Sequence, residues 1–397
     1  MSKLILVLNC GSSSIKFGLF DVSIEPVPRK PLWNGKVDSI LGPSPTYGDS
    51  HTPPAAIDLG REHPYATALD HIASRTSQEV QGHQLLAVAH RVVHGGSKYF
   101  HPVLVDAEVL RDLRSYIPLA PLHQPFALEA VERLLDSHPH LPQVACVDTA
   151  FHHTLPEVEQ VLPLPYSVFE RGIRRYGFHG LSYEYMTVAL QECFGELARG
   201  RIIVAHLGSG ASLCGMQDLR SVATTMGFSA LDGLMMGTRC GALDPGVLLH
   251  MMEVEHLTPA QVGRMLYHES GLLGVSGIAS DPRILLQQEE KEPRARLALA
   301  LYIRRIVREI GAMVAALGGL DMLVFTAGIG EHNADIRERI CRDLAFLGLQ
   351  VDMAANRGDA MVISAAESCV TVVVVLTNEE WMAARHAQAV INAHDSR

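Results

Sequence analysis

The chain has 397 residues, 48% hydrophobic and 19% charged, with Lys+Arg 33 against Asp+Glu 43 and a net charge of -10. That length exceeds what one hydrophobic core usually serves, so two domains are expected, and the composition excludes a disordered chain. The acidic balance excludes a broad nucleic-acid footprint and any pull towards anionic membranes, so an anionic substrate must be drawn in by a local cationic pocket.

No charge-free apolar run is long enough to span a bilayer. Leu4–Leu8 is too short for a signal sequence and reads as a buried strand. Cys10-Gly-Ser-Ser-Ser14 stops it and the run Ile15–Phe20 follows at once, which predicts strand, tight polar turn, strand. Residues 26–66, rich in Pro, Gly, Ser and Asp without periodicity, are expected to be irregular. Leu85–Val93 predicts a buried strand running into His94-Gly-Gly96. A helix is expected from Pro125 to Leu135, then a strand over Val144–Val147 that ends at Asp148.

The second half repeats this grammar with strand Arg201–His206, a Gly-rich turn, and strand Ser212–Met216. Apolar residues from Ile303 to Leu317 keep helical spacing and stop at Gly318-Gly319. Strand Met322–Thr326, the turn Ala327-Gly-Ile-Gly-Glu331, a helix from about Ala334 to Leu347, strand Val370–Leu376 and a last helix from about Asn378 complete the reading. Helices alternating with apolar strands predict α/β layers. A strand–turn–strand unit near the start of each half points to two related domains, with the boundary near residue 150. The seven cysteines, spread out with no C-x-x-C pair, fit reduced thiols in a soluble cytoplasmic protein better than disulfides or a zinc site.

Asn9-Cys-Gly-Ser-Ser-Ser14 with Lys16 has the makings of a phosphate cradle, although the spacing is not that of a Walker loop. Alone, such a turn is more often just a hairpin. His206-Leu-Gly-Ser-Gly210 and Gly328-Ile-Gly-Glu331 also follow apolar strands, and ligands of open α/β sheets bind at the carboxyl ends of strands. Three such turns together are a stronger signal than one. His90 and His94 lie in a strand-like run without a third ligand of suitable spacing, which argues against zinc. Arg91 in an apolar strand, and Arg239 in Met236-Gly-Thr-Arg239, each need an anionic partner, from the protein or from a substrate. Asp148 is placed like a catalytic carboxylate, or like a helix N-cap. His179, between Phe178 and Gly180, reads equally as a packed or a reactive histidine.

The ordered set Asn9–Lys16, His90–Gly96, Ala120–His123, Asp148–His152, Arg175–Gly180, His206–Ser212, Met236–Arg239, Gly328–Glu331 and Thr377–Glu380 strongly resembles the acetate kinase family. The match runs in family order from the first strand to the last helix. The resemblance implies the sugar-kinase/actin-like α/β fold, two duplicated domains closing over a cleft. Residues 1–150 would form the N-terminal domain, completed by the helix at about 378–397. Residues 151–377 would form the nucleotide-binding and dimerisation domain of a homodimer. It implies reversible transfer of the γ-phosphoryl group of ATP to acetate, giving acetyl phosphate and ADP, with magnesium or manganese, and neither a nucleic acid nor a membrane as partner.

Carried over position by position, Arg91 would hold the acetate carboxylate, and Val93, Leu122 and Phe178 would wall its methyl group. Arg239 and His179 would hold the transferring phosphoryl group, with His123 in support, and Asp148 is the family's acidic catalytic residue. Asn9 and Glu379 would position magnesium. His206, Leu207, Gly208, Ser209, Gly210, Asp281, Pro282, Arg283, Gly328, Ile329, Gly330, Glu331 and His332 would line the nucleotide, with Lys16 near the phosphates. The sequence departs from the family pattern at Ser209 (generally Asn), Ala242 (acidic), His332 (Asn) and Ala230 (proline).

The chemistry agrees with this set. Phosphoryl transfer through a loose transition state needs alignment and charge stabilisation. An acetate carboxylate, with a pKa of about 4, needs no general base at neutral pH. Asp148 is therefore expected to orient an arginine or a metal-bound water. The rival readings are another short-chain acyl kinase, such as one for propionate, and an actin-like ATPase without an acyl acceptor.

Overall fold

The first apolar run folds as β1, Lys3–Cys10, in a computed structural model that describes residues 1–121, 123–358 and 360–396. It pairs antiparallel with β2, Ile15–Asp21, and the Gly11 N–H donates to the Ser14 carbonyl at 2.9 Å to close the turn between them. The stretch expected to be irregular instead extends the sheet through β3, Trp33–Asp38, β4, Thr46–Asp49, and β5, Ala55–Ala56. The glycines that read as breakers serve close packing there. A Cβ on Gly35 would lie 2.4 Å from the Gly48 carbonyl oxygen and 2.5 Å from the Phe17 ring. Trp33 and Val37 of β3 point into the core beside Phe17.

Helix α1, Pro64–Glu79, leads to β6, Gln84–Val92, which runs parallel to β1. After β7, Val103–Leu104, come α2, Ala107–Ser115, α3, Gln124–Ser137, and β8, Gln143–Val147, parallel to β6. The sheet order is β5-β4-β3-β2-β1-β6-β8-β7. Leu4, Leu6 and Leu8 of β1 bury against α1 and α3. A C-terminal helix, Glu379–Asp395, packs on β1, β6 and β8 through Trp381, Met382, Ala384 and Ala387. Met1–Ala150 and Asn378–Arg397 thus form one compact unit.

Phe151–Thr377 forms a second unit. It comprises α4, Gly180–Phe194, β9, Ile202–Leu207, β10, Ala211–Gln217, β11, Arg220–Thr224, α5, Pro245–Glu253, α6, Pro282–Gln288, α7, Pro293–Leu317, β12, Met322–Thr326, α8, Ala327–His332, α9, Ala334–Asp343, and β13, Thr371–Val374, with further helices and helical turns between them. The expected turn at 327–331 is thus a short helix. Its first N–H groups have no intrahelical acceptor, and the Glu331 carboxylate folds back to take the one on Ala327 at 2.8 Å. The sheet order β11-β10-β9-β12-β13 repeats the order β3-β2-β1-β6-β8 of the first unit. In both, two antiparallel pairings are followed by two parallel ones. The shared topology is that of a duplicated α/β domain. No helix among the described residues is long and apolar enough to cross a membrane, and all seven cysteines are free.

Three buried histidines are expected to make the fold acid-sensitive. Burial pushes His90, His94 and His152 each down to about 4. His90 Nε2 meets Gln143 Oε1 at 2.8 Å, while its Nδ1 is buried without a hydrogen-bond partner among the described residues. His94 Nδ1 accepts from the Gly96 N–H at 2.9 Å. His152 Nε2 donates to the Phe178 carbonyl at 3.0 Å and its Nδ1 lies 2.8 Å from Ser221 Oγ. The native pKa lies below the unfolded value of about 6.5, so the unfolded chain binds more protons between pH 6.5 and 4, and stability falls as pH falls through that window. The expected slope reaches about 1.4 kcal/mol per pH unit for each histidine. Urea midpoints at pH 7.0 and 5.0 check this, and equal midpoints would refute it.

Candidate active site

Parallel pairing sets one cluster of candidate residues. Asn9, Arg91 and Asp148 stand at or just beyond the carboxyl ends of three neighbouring strands, β1, β6 and β8. The Asp148 N–H donates to the Val92 carbonyl at 2.9 Å, which fixes the turn that presents its carboxylate. Arg91 Nε and Nη2 both donate to Asp148 Oδ2, at 2.9 and 2.6 Å. Its Nη1 lies 2.8 Å from Glu379 Oε2 and 3.5 Å from Asn9 Oδ1. Burial alone would lower the Arg91 pKa, but the Asp148 and Glu379 charges outweigh it and hold the guanidinium ionised. Burial pushes the Glu379 carboxyl above the usual carboxylate range. Arg91 opposes that shift, while Asp148 and Glu380 reinforce it. The sequence left Asp148 open between carboxylate and helix cap; its side chain is the partner of Arg91.

One observation bears on magnesium. Asp148 Oδ1 is buried and makes no hydrogen bond among the described residues. With Asn9 Oδ1 and Glu379 it forms an all-oxygen donor set, the chemistry a hard cation selects. No group of three His, Cys, Asp or Glu among the described residues forms a preformed metal cage. Magnesium seldom needs one, because one or two carboxylates, water and substrate phosphates suffice. The residues fit the ion.

A second cluster of candidate residues lies in the Phe151–Thr377 unit. His179 caps the N-terminus of α4 with φ 60, a left-handed conformation that turns its ring towards the β9–β10 turn. There it stacks on His206 with centroids 4.1 Å apart at 14°. His206 Nδ1 lies 2.8 Å from Ser182 Oγ, which in turn meets Thr377 Oγ1 at 2.9 Å. Arg239 Nη1 donates to the Ala230 carbonyl at 3.0 Å, and Arg239 forms no ion pair among the described residues. Burial lowers its pKa. Gly210 is where these groups converge. A Cβ there would sit 3.1 Å from His179 Nε2 and 3.7 Å from Arg239 Nη1. The glycine keeps that space open beside two donors, the arrangement an anionic oxygen requires. Gly210→Ala is expected to lower kcat about tenfold or more with little change in thermal stability. A kinetic constant within twofold of the wild type would remove this point from the site.

The other expected residues are placed as follows. Leu207 is buried, while Ser209 forms the exposed tip of the β9–β10 turn, closed by the Gly208 N–H on the Gly210 carbonyl at 3.1 Å. Gly328, Ile329, Gly330 and His332 belong to α8, where Gly328 and His332 are exposed. Glu331 turns inward, its Oε1 accepting from the Ala327 and Thr377 N–H groups at 2.8 Å each. Asp281 caps α6 and pairs with Arg283 at 2.6 Å, with Pro282 at the first helical position. Lys16 is exposed on β2 opposite Asn9. Val93 is half-buried just past β6, His123 half-buried at the start of α3, and Phe178 buried. Leu122 lies outside the described residues. Sequence reading gave no role to Ser182, Tyr183, Ser212, Thr377 or Arg337. Arg337, buried on α9, donates to the Gly330 and Glu331 carbonyls at 2.9 and 2.8 Å and so braces α8. Small hydroxyl residues and one arginine among many carry no distinguishing pattern in a single sequence.

The model of the acetokinase family matches residues 4–385. The chain belongs to the acetokinase family. An acetate kinase of Rhodopseudomonas palustris is 49% identical over 394 residues, covering 97% of this chain and 98% of that protein. Among solved structures, the acetate kinase of Porphyromonas gingivalis is 37% identical with a TM-score of 0.84, covering 98% of this chain and 100% of that one. A propionate kinase from Francisella tularensis is 34% identical with a TM-score of 0.86, covering 97% and 99%. The duplicated sheet topology is therefore that of a known acetokinase-family fold.

Proposed function

We propose that this chain catalyses reversible transfer of the γ-phosphoryl group of ATP to acetate, giving acetyl phosphate and ADP, by direct in-line displacement. The observation that carries the reading is the convergence of His179 Nε2 and Arg239 Nη1 on the space beside Gly210 in a chain of this family. Arg91 binds the acetate carboxylate, which is already ionised and attacks without a base. Arg239 and His179 donate to the phosphoryl oxygens as charge builds in the transition state, while His123 supports them. Asp148 orients Arg91. Asn9 and Glu379, with Asp148, would hold magnesium, whose charge offsets that of the phosphates. The β9–β10 turn, Asp281–Arg283 and Gly328–His332 hold the nucleotide, and Lys16 lies near its phosphates. Acetate-dependent release of ADP from ATP, with the product trapped by hydroxylamine, tests this reading. ADP release that ignores acetate would instead identify an ATPase.

Use of propionate or another short-chain acid as acceptor is the second reading, favoured by the likeness to the Francisella propionate kinase and by Ala230. Alanine removes ring atoms from the acyl pocket, and one added methylene is worth only about 1–3 kcal/mol. Propionate is expected within about tenfold of acetate in kcat/KM, with butyrate poor, and Ala230→Pro should shift preference towards acetate. Rejection of propionate by the wild type a hundredfold or more would exclude a widened pocket.

A homodimer through the Phe151–Thr377 unit is part of the proposal. It is supported by α5, which buries none of its residues and exposes Val247 and Leu249 beside Leu243 and Val254. The free thiols support a reducing cytoplasm.

A further inference from the structure

Tyr183 and Ser212 have no part in the site described above, yet they end on His179. Both are fully buried, Tyr183 in the first turn of α4 and Ser212 on β10. The Tyr183 hydroxyl lies 2.5 Å from Ser212 Oγ, and Ser212 Oγ lies 2.7 Å from His179 Nδ1. Each hydroxyl carries one hydrogen, so the chain has a direction.

If His179 Nδ1 held the proton, it would donate to Ser212, and either the Ser212 hydrogen or the phenolic hydrogen would be left over. That hydrogen would then need an acceptor of its own. Neither Tyr183 nor Ser212 makes another side-chain hydrogen bond among the described residues, and a buried hydroxyl hydrogen left unmatched is strongly disfavoured. In the opposite order every group is satisfied: Tyr183 donates to Ser212, Ser212 donates to Nδ1, and the ring proton sits on Nε2. Nε2 is the atom 3.1 Å from the Cβ position of Gly210, beside Arg239. The stacked His206 ring holds the plane of His179.

We propose that Tyr183 and Ser212 are positioning residues that hold His179 as its Nε2–H tautomer, so that a neutral ring presents a hydrogen-bond donor to the phosphoryl group. The proposal rests on the phosphoryl-transfer reading for the use of that donor, but the tautomer itself can be read without turnover. Nitrogen-15 histidine NMR of the wild-type protein is expected to show His179 with a protonated Nε2 and an accepting Nδ1. Tyr183→Phe removes the hydrogen bond that Ser212 Oγ accepts and so weakens its own donation to Nδ1, and the Nδ1–H fraction should rise. Its kcat should fall about tenfold, with KM for acetate and ATP within about twofold.

Ser212→Ala should behave likewise and Ser212→Thr, which keeps the hydroxyl, should restore both tautomer and kcat. That pair decides the matter even if Tyr183→Phe folds poorly. An Nδ1–H form in the wild type, or a kcat loss in Tyr183→Phe or Ser212→Ala without a tautomer change, would overturn the relay. Failure of the wild type to phosphorylate acetate would overturn the functional reading alone, because the NMR assignment would still stand or fall independently.

Discussion

Arg91→Ala should lose both activity and stability. The side chain neutralises Asp148 and Glu379 at 2.6 and 2.8 Å, and both carboxylates are buried. Removing one partner of a buried ionic cluster leaves uncompensated charge and costs about 3–5 kcal/mol. Losing the proposed charge-assisted contact to the acetate carboxylate should lower kcat/KM about a hundredfold on top of that. Arg91→Lys separates the two effects. It keeps a cation between the carboxylates, so much of the stability should return. It cannot donate from two nitrogens to Asp148 Oδ2 while a third reaches Glu379, so activity should stay low. Urea denaturation and steady-state kinetics on both variants check this. Full activity in either with a native fold would take Arg91 out of the reaction.

Arg239→Ala should lose at least about a hundredfold in kcat with stability unchanged or raised. The contrast with Arg91 comes from partners. Arg239 is satisfied only by the Ala230 carbonyl and, at 3.7 Å, by Met236 Sδ, with no carboxylate paired to it among the described residues. Its burial is a cost that an anionic ligand would offset. Inorganic phosphate should therefore raise the melting temperature of the wild type and not that of Arg239→Ala. A variant that melts several degrees lower and keeps its turnover would show a structural arginine instead.

Much of this molecule was legible in one chain. The core strands β1, β6, β8, β9 and β12 are nearly continuous apolar runs because sheets covered on both faces demand them. The Gly-rich or polar segments after β1, β9 and β12 mark strand ends of the kind at which open α/β sheets bind ligands. The ordered motifs carry the family from Asn9 to Glu380. Strands β3 to β5 were not legible, because their few residues gain order only from pairing with β2 and Gly35 imitates a breaker.

Residue identity also left each arginine open between a salt bridge and a ligand. Arg91 and Asp148 are 57 residues apart and meet only through the parallel register of β6 and β8. Arg239, with the same chemistry, found no carboxylate. His179 could be packed or reactive until Ser212, 33 residues on, was seen to hold its Nδ1 and leave Nε2 beside Gly210. Composition and spacing settle which groups are buried and which strands form, because burial depends on pattern. The state of each buried charge and proton depends on which partner lies within about 3 Å, and that distance exists only once the strands have paired.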